Sequence, residues 1–212
     1  MQDFISKVEA GNLPEVESLL QKEPSLAEAR DANGSTVIQK AAYMGNSAMV
    51  KLLLSASPTL DMATACSVGD LDAVAKAADE RPESVNEMSA DGFRPLCLAA
   101  AFGHEAVLAL LLERNADPTL RSTTLGVAPM DSAIFGRSVR IVQRLLDAGV
   151  DPNVAQGGGF RPLHGAAQHG DIEIVKLLLA HGADSSAKSD AGKTAHDFAT
   201  EYGHIETAEL LM

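Results

Sequence analysis

Apolar residues fall in short bursts along the chain rather than in one long run. The clearest burst is Ile174-Val175-Lys176-Leu177-Leu178-Leu179, in which Ile174, Val175, Leu177 and Leu178 share one face at helical spacing. Similar bursts stand at Leu52 to Leu54, Leu110 to Leu112 and Leu145-Leu146. Each follows a stretch of small residues: Ala41-Ala42, Ala99-Ala100, Ala133-Ile134 and Ala166-Ala167. Glycines after a helical stretch recur at Gly11, Gly45, Gly69, Gly103, Gly170 and Gly203, and Arg137 takes the remaining slot. Successive steps are 34, 24, 34, 34, 33 and 33 residues. The pattern predicts pairs of short helices repeated at a period near 33, with one break.

The unit from Gly157 to Lys188 carries the local signals most fully. Pro162 suits a first helical turn, where a missing N–H leaves nothing unpaired. Ala166-Ala167 lets a neighbouring helix approach closely, and Gly170 is placed to end its helix in the left-handed conformation. Arg137, in the same slot, is predicted to carry the backbone cost that glycine avoids.

This unit reads Gly159-Phe160-Arg161-Pro162-Leu163-His164-Gly165-Ala166-Ala167, then Gly170, the apolar burst, and Gly182-Ala183-Asp184. It resembles the ankyrin repeat, whose pattern is Gly-x-Thr-Pro-Leu-His-x-Ala-Ala-x-x-Gly, an apolar second helix and Gly-Ala-Asp. The resemblance covers nearly the whole chain and is to bacterial-type, stand-alone ankyrin-repeat domain proteins. It implies an all-α fold, an α-solenoid of stacked helix pairs with short hairpin turns. Hairpin tips and first helices would line a concave face. One domain, 1–212, would comprise an N-terminal cap (1–30), units 31–60, 61–88 (hairpin-less), 89–121, 122–155 and 156–188, and a C-terminal cap (189–212).

The short step of 24 predicts that about nine residues of hairpin are absent around Ser57-Pro58, leaving a gap in the row of fingers. Beyond it the sequence restarts at an offset of 58: Asp3, Gly11, Leu13, Val16 and Pro24 return as Asp61, Gly69, Leu71, Val74 and Pro82. Residues from 59 onward therefore begin like a cap and are predicted to fold alone.

Chemistry is hard to find. Cys97 stands where the motif has histidine and Cys66 fills a small-residue slot, so both read as small buried residues. Two cysteines make no disulfide framework for a chain of 212 residues. No histidine pair has metal-site spacing. His104 and His204 hold a capping position, the resemblance gives His164 a hydrogen bond across repeats, and only His169 has no structural assignment. Gly157-Gly158-Gly159 lacks the lysine and the strand of a phosphate loop and reads as a hairpin tip. Catalysis, a metal and a cofactor are not expected. Arg137, Arg140 and Arg144 form a stripe expected to pair with acids of adjacent units. Arg94 and Arg161 replace the motif threonine and either hold neighbouring fingers through carboxylates or face a partner.

A net charge of −12 opposes binding to nucleic acid or anionic membrane. The expected setting is cytoplasmic and the expected state a monomer. Within each repeat the resemblance assigns binding to the residue after the turn glycine and to the two before the helix-ending glycine. Six of the eight aromatics fall in these slots. The candidate protein-binding residues are Tyr43, Met44, Phe93, Phe102, Val127, Phe135, Phe160, His169 and Tyr202. Rings placed outside the core favour a protein partner with a basic or apolar patch, held on the concave face by an inhibitor or adaptor. The alternatives are rings that merely brace the hairpins, a small-ligand or enzymatic groove, and a spacer solenoid.

Overall fold

The structure, a computed structural model, describes residues 1–124 and 126–212. Its helices come in antiparallel pairs. They are α1 (Gln2–Glu9) with α2 (Leu13–Lys22), α3 (Val37–Tyr43) with α4 (Ser47–Leu54), α5 (Met62–Val68) with α6 (Leu71–Glu80), and α7 (Pro95–Ala101) with α8 (Glu105–Glu113). Then follow α9 (Pro129–Phe135) with α10 (Val139–Asp147), α11 (Pro162–His169) with α12 (Ile172–Ala180), and α13 (Ala195–Glu201) with α14 (Ile205–Leu210). Among the described residues there is no strand beyond an isolated bridge between Arg30 and Thr36. The all-α solenoid read from the sequence is the fold.

Local chemistry explains why such short helices hold. Asn12, Asn46, Asp61, Asp70 and Ser138 each accept a backbone N–H at a helix start. Thr36 with Gln39 and Thr194 with Asp197 form reciprocal capping boxes. Pro95, Pro129 and Pro162 open α7, α9 and α11. Helices this short are marginal alone, so packing of each pair on its neighbours supplies most of their stability.

First helices stack in one layer, α3 on α5, then α7, α9, α11 and α13. Second helices form the other layer, α2 on α4, and α6 on α8, α10, α12 and α14. That outer layer is interrupted, because α4 and α6 barely touch. The chain runs from α4 to α5 through residues 55–61 with no hairpin, and Ser57 takes a left-handed conformation at φ 53°. The buried apolar side chains divide at the same place. One core gathers Phe4, Ile5, Val8, Val16, Ile38, Met49 and Leu53, and the other runs unbroken from Ala65 to Leu211. Leu60 touches both.

The gap expected in the row of fingers is closed at its tip. Ser35 Oγ donates to Asp91 Oδ2 at 3.3 Å, and a Cβ on Gly34 would lie 2.6 Å from Ala90 Cβ. Losing one finger lets its neighbours lean together.

Candidate functional site

The first helices are seven or eight residues long from α3 onward, so each turns out its C-terminal residues at the same height. Tyr43 ends α3, Phe102 follows α7, and Phe135 ends α9. Phe93 and Val127 lie in the hairpins that precede α7 and α9. These five residues line one cleft of ≈ 330 Å³, floored by Cys97, Leu98 and Ala101. Tyr43 and Phe102 stack with centroids 5.8 Å apart and planes 9° from parallel, and Phe93 lies tilted against Tyr43 at 6.2 Å. Tyr43 and Phe102 approach across the hairpin-less junction, so the cleft joins the two cores.

The Tyr43 hydroxyl donates to Asp91 Oδ2 at 2.6 Å, and burial together with that carboxylate pushes its pKa up. Asp91 also accepts from Ser35 and Ser89, which makes it the clasp of the junction. Reading only the residue after each turn glycine missed Asp91, which precedes Gly92. Asp131, also in the cleft wall, accepts from Ala128 N at 2.9 Å and from Gln156, and burial raises its pKa. It occupies the helix position held by His164 in the next pair of helices.

The other proposed residues stand apart. Phe160 is packed edge-on against Phe198 at 5.2 Å and against His164 at 5.4 Å, in a second aromatic group. The candidate rings therefore form two clusters, with Phe160 apart from Phe93, Phe102 and Phe135. The cause is Phe198, which offers Phe160 a nearer ring. Met44 and Tyr202 are exposed at the ends of α3 and α13. His169 lies beside Asp171 with Nδ1 3.9 Å from Oδ2, and both atoms are buried without a partner.

The remaining polar residues are structural. Arg137 does adopt the left-handed conformation, at φ 54°, and its Nε donates to Asp171 Oδ1 at 2.8 Å. Arg140 and Arg144 meet Glu105 of the preceding helix pair at 3.5 and 2.9 Å. Arg94 and Arg161 bind backbone carbonyls, not carboxylates: Arg94 reaches Asn86 O and Arg121 O, and Arg161 reaches Asn153 O at 3.1 Å. His104 and His204 cap the preceding unit, not their own helices, through Ser67 O at 3.2 Å and Gln168 O at 3.1 Å. The His104 ring lies so close that a Cβ on Gly69 would sit 2.5 Å from its Nδ1.

His164 accepts from Arg161 N at Nδ1 and donates from Nε2 to Ala187 O, both at 3.0 Å. That pairing suits only the neutral ring, and burial lowers its pKa. Burial raises both thiols, Cys66 and Cys97, which keeps them protonated and unreactive. Among the described residues no cluster of His, Cys, Asp or Glu is arranged to hold a metal, and no helix is long and apolar enough to cross a membrane.

The family profile described as ankyrin repeats (three copies) matches residues 5–122 and 130–212. Ankyrin repeat and SAM domain-containing protein 6 of Mus musculus is 35% identical over 91 residues, 43% of this chain and 10% of that protein. Its Rattus norvegicus counterpart is 32% identical over 100 residues, 47% of this chain and 11% of that protein. The match thus spans about a tenth of either relative.

Proposed function

The chain belongs to the ankyrin-repeat family, whose repeats generally serve protein–protein interaction, and on that premise we propose that it holds one partner protein in the aromatic cleft. It acts there without catalysis, as an inhibitor or adaptor, from the face lined by hairpins and first helices. The observation that carries this reading is Phe135, a ring 75% exposed at the mouth of a mainly apolar cleft. An apolar side chain of the partner that fills the cleft covers Phe135, Phe102 and Phe93 together. Rigid rings lose little entropy on contact, which suits them as anchors. Positive charge around the partner's apolar anchor complements the net charge of −12 and speeds encounter. Tyr202, Met44 and His169 are assigned to the outer contacts.

Partner capture from native extract followed by mass spectrometry identifies the ligand. Phe135→Ala is then expected to lower affinity by about 2 kcal/mol or more, as loss of a central anchor does. Its helical melt should not move, because the ring lies outside both cores. A variant that folds and binds at wild-type strength would place the partner on another face.

A further inference from the structure

In α7, α9 and α11 the third residue finds a partner in the hairpin that follows, whereas in α5 the third residue, Thr64, turns back to Thr36. Cys97 Sγ donates to Val127 O at 3.6 Å, Asp131 accepts from Gln156, and His164 donates to Ala187 O at 3.0 Å. Gln39 holds this position in α3, and no hairpin follows α4. Its Oε1 is used, taking Thr36 N at 3.0 Å in the capping box. Its Nε2 has no partner, although the residue is only 2% exposed. A buried amide donor left unpaired is costly; the Tyr43 hydroxyl lies near it without closing a hydrogen bond, and the hairpin partner found after α7, α9 and α11 is absent.

Beneath the closed tips, part of the space of that finger remains as a notch. Two adjoining hollows of ≈ 360 and ≈ 300 Å³ share Arg30 and Asp61 on their walls. Gln39 lines the larger, with Met62, Ala77 and Met88. The notch is also acidic. On its lining Asp61, Glu87, Glu28 and Glu80 outnumber Arg30 and Arg81, although Glu80 also meets Lys76 at 3.9 Å and Glu28 takes Thr59 N at 2.9 Å.

We propose that this notch is a second recognition site, which receives a basic turn of polypeptide from a partner protein in place of the missing finger. A backbone carbonyl of the turn accepts from Gln39 Nε2, as Ala187 O does from His164. A lysine or arginine of the turn meets Glu28 and Glu80, while its small side chains rest on Ala77 and Met88. The binding mode is completion of a repeated structure by a segment supplied in trans.

The test is a titration of the full chain, ¹⁵N-labelled, with a synthetic peptide of residues 181–194 of this same sequence. That peptide is the hairpin holding the Ala187 carbonyl, and it is made with Asp184→Asn and Asp190→Asn so that Lys188 and Lys193 stand unopposed. Two variants accompany it. Gln39→Glu keeps the oxygen that caps Thr36 and lacks the donor. Ala77→Arg fills the notch from α6 without touching the capping box, and serves if the first variant folds poorly. The expected result is a saturable shift of the Gln39 side-chain amide signals, with binding at least tenfold weaker in each folded variant and for a scrambled peptide. The proposal is overturned by no shift at millimolar peptide, by equal binding in a folded variant or of the scrambled peptide, or by shifts confined to Phe102 and Phe135.

Discussion

The two cores of this solenoid are built from the same unit and yet are unequally secured. From α5 to α14 each helix pair buries its apolar face against neighbours in both layers, and the core is continuous. The pairs α1–α2 and α3–α4 share a smaller core that meets the rest through one layer only, since α4 and α6 barely touch. In a solenoid stability is a sum of unit and interface terms, so a weak interface marks where cooperativity fails. The junction is held instead by particular side chains: the Tyr43–Phe102 stack, the Asp91 clasp, the Arg30–Asp61 ion pair, and a 3.0 Å hydrogen bond between the hydroxyls of Thr36 and Thr64. The lesson is that the proposed binding cleft lies on the least redundant interface of the molecule. A partner that grips Tyr43 and Phe135 together would brace it.

The comparison can be broken by truncating one core at a time. Met49→Ala removes a fully buried side chain from the smaller core and is expected to cost about 2–5 kcal/mol. Native-state hydrogen exchange should register that loss in α1 to α4 and leave α7 to α12 at wild-type protection. Uniform loss across the chain would mean a single cooperative unit.

A smaller effect probes the clasp itself. Tyr43→Phe keeps the stack on Phe102 and removes the hydroxyl bond to Asp91, a loss of about 1–2 kcal/mol confined to the junction. A lower urea midpoint for the smaller core, with that of the larger core unmoved, checks it.

His164 makes the larger core sensitive to pH. His164 has its pKa lowered by burial from an ordinary value of 6.5, so below about pH 6.5 the unfolded chain binds the proton more tightly. The contribution is present above that pH and is lost as pH falls toward the folded pKa. Between pH 7.5 and 5.5 the wild-type melting temperature should therefore fall further than that of His164→Gln. Parallel slopes would show that the ring titrates freely.

The smallest effect is expected at Arg137. Arg137→Gly relieves a left-handed backbone cost of about 1 kcal/mol and gives up an ion pair between an exposed guanidinium and the largely buried Asp171, worth about 1 kcal/mol. The melting temperature should scarcely change. A rise of several degrees would show that the ion pair contributes nothing.

Much of this was legible in the sequence for a physical reason. Period, caps and glycine turns are local, and a repeat places local signals in register, so Pro162, Gly170 and the offset of 58 led to the helix pairs. The left-handed Arg137 was legible for the same reason. What was not legible depends on side chains from distant segments. Asp91 meets Tyr43 only because two fingers lean together over an absent third. Phe160 turns to Phe198 because the last pair carries a ring facing the hairpin. The role of Arg94 and Arg161 hinged on which acceptor lay nearer, and backbone carbonyls of the preceding turns and, for Arg94, of the following hairpin lay within reach.

The central claim is that the chain is two solenoid segments joined at a hairpin-less interface. Its most direct test is the circular dichroism melt of residues 59–212 alone. The division of the cores predicts a cooperative helical transition, because Asp61 caps α5 and the core from Ala65 to Leu211 is complete without the first two pairs. A fragment that shows no cooperative transition would contradict it.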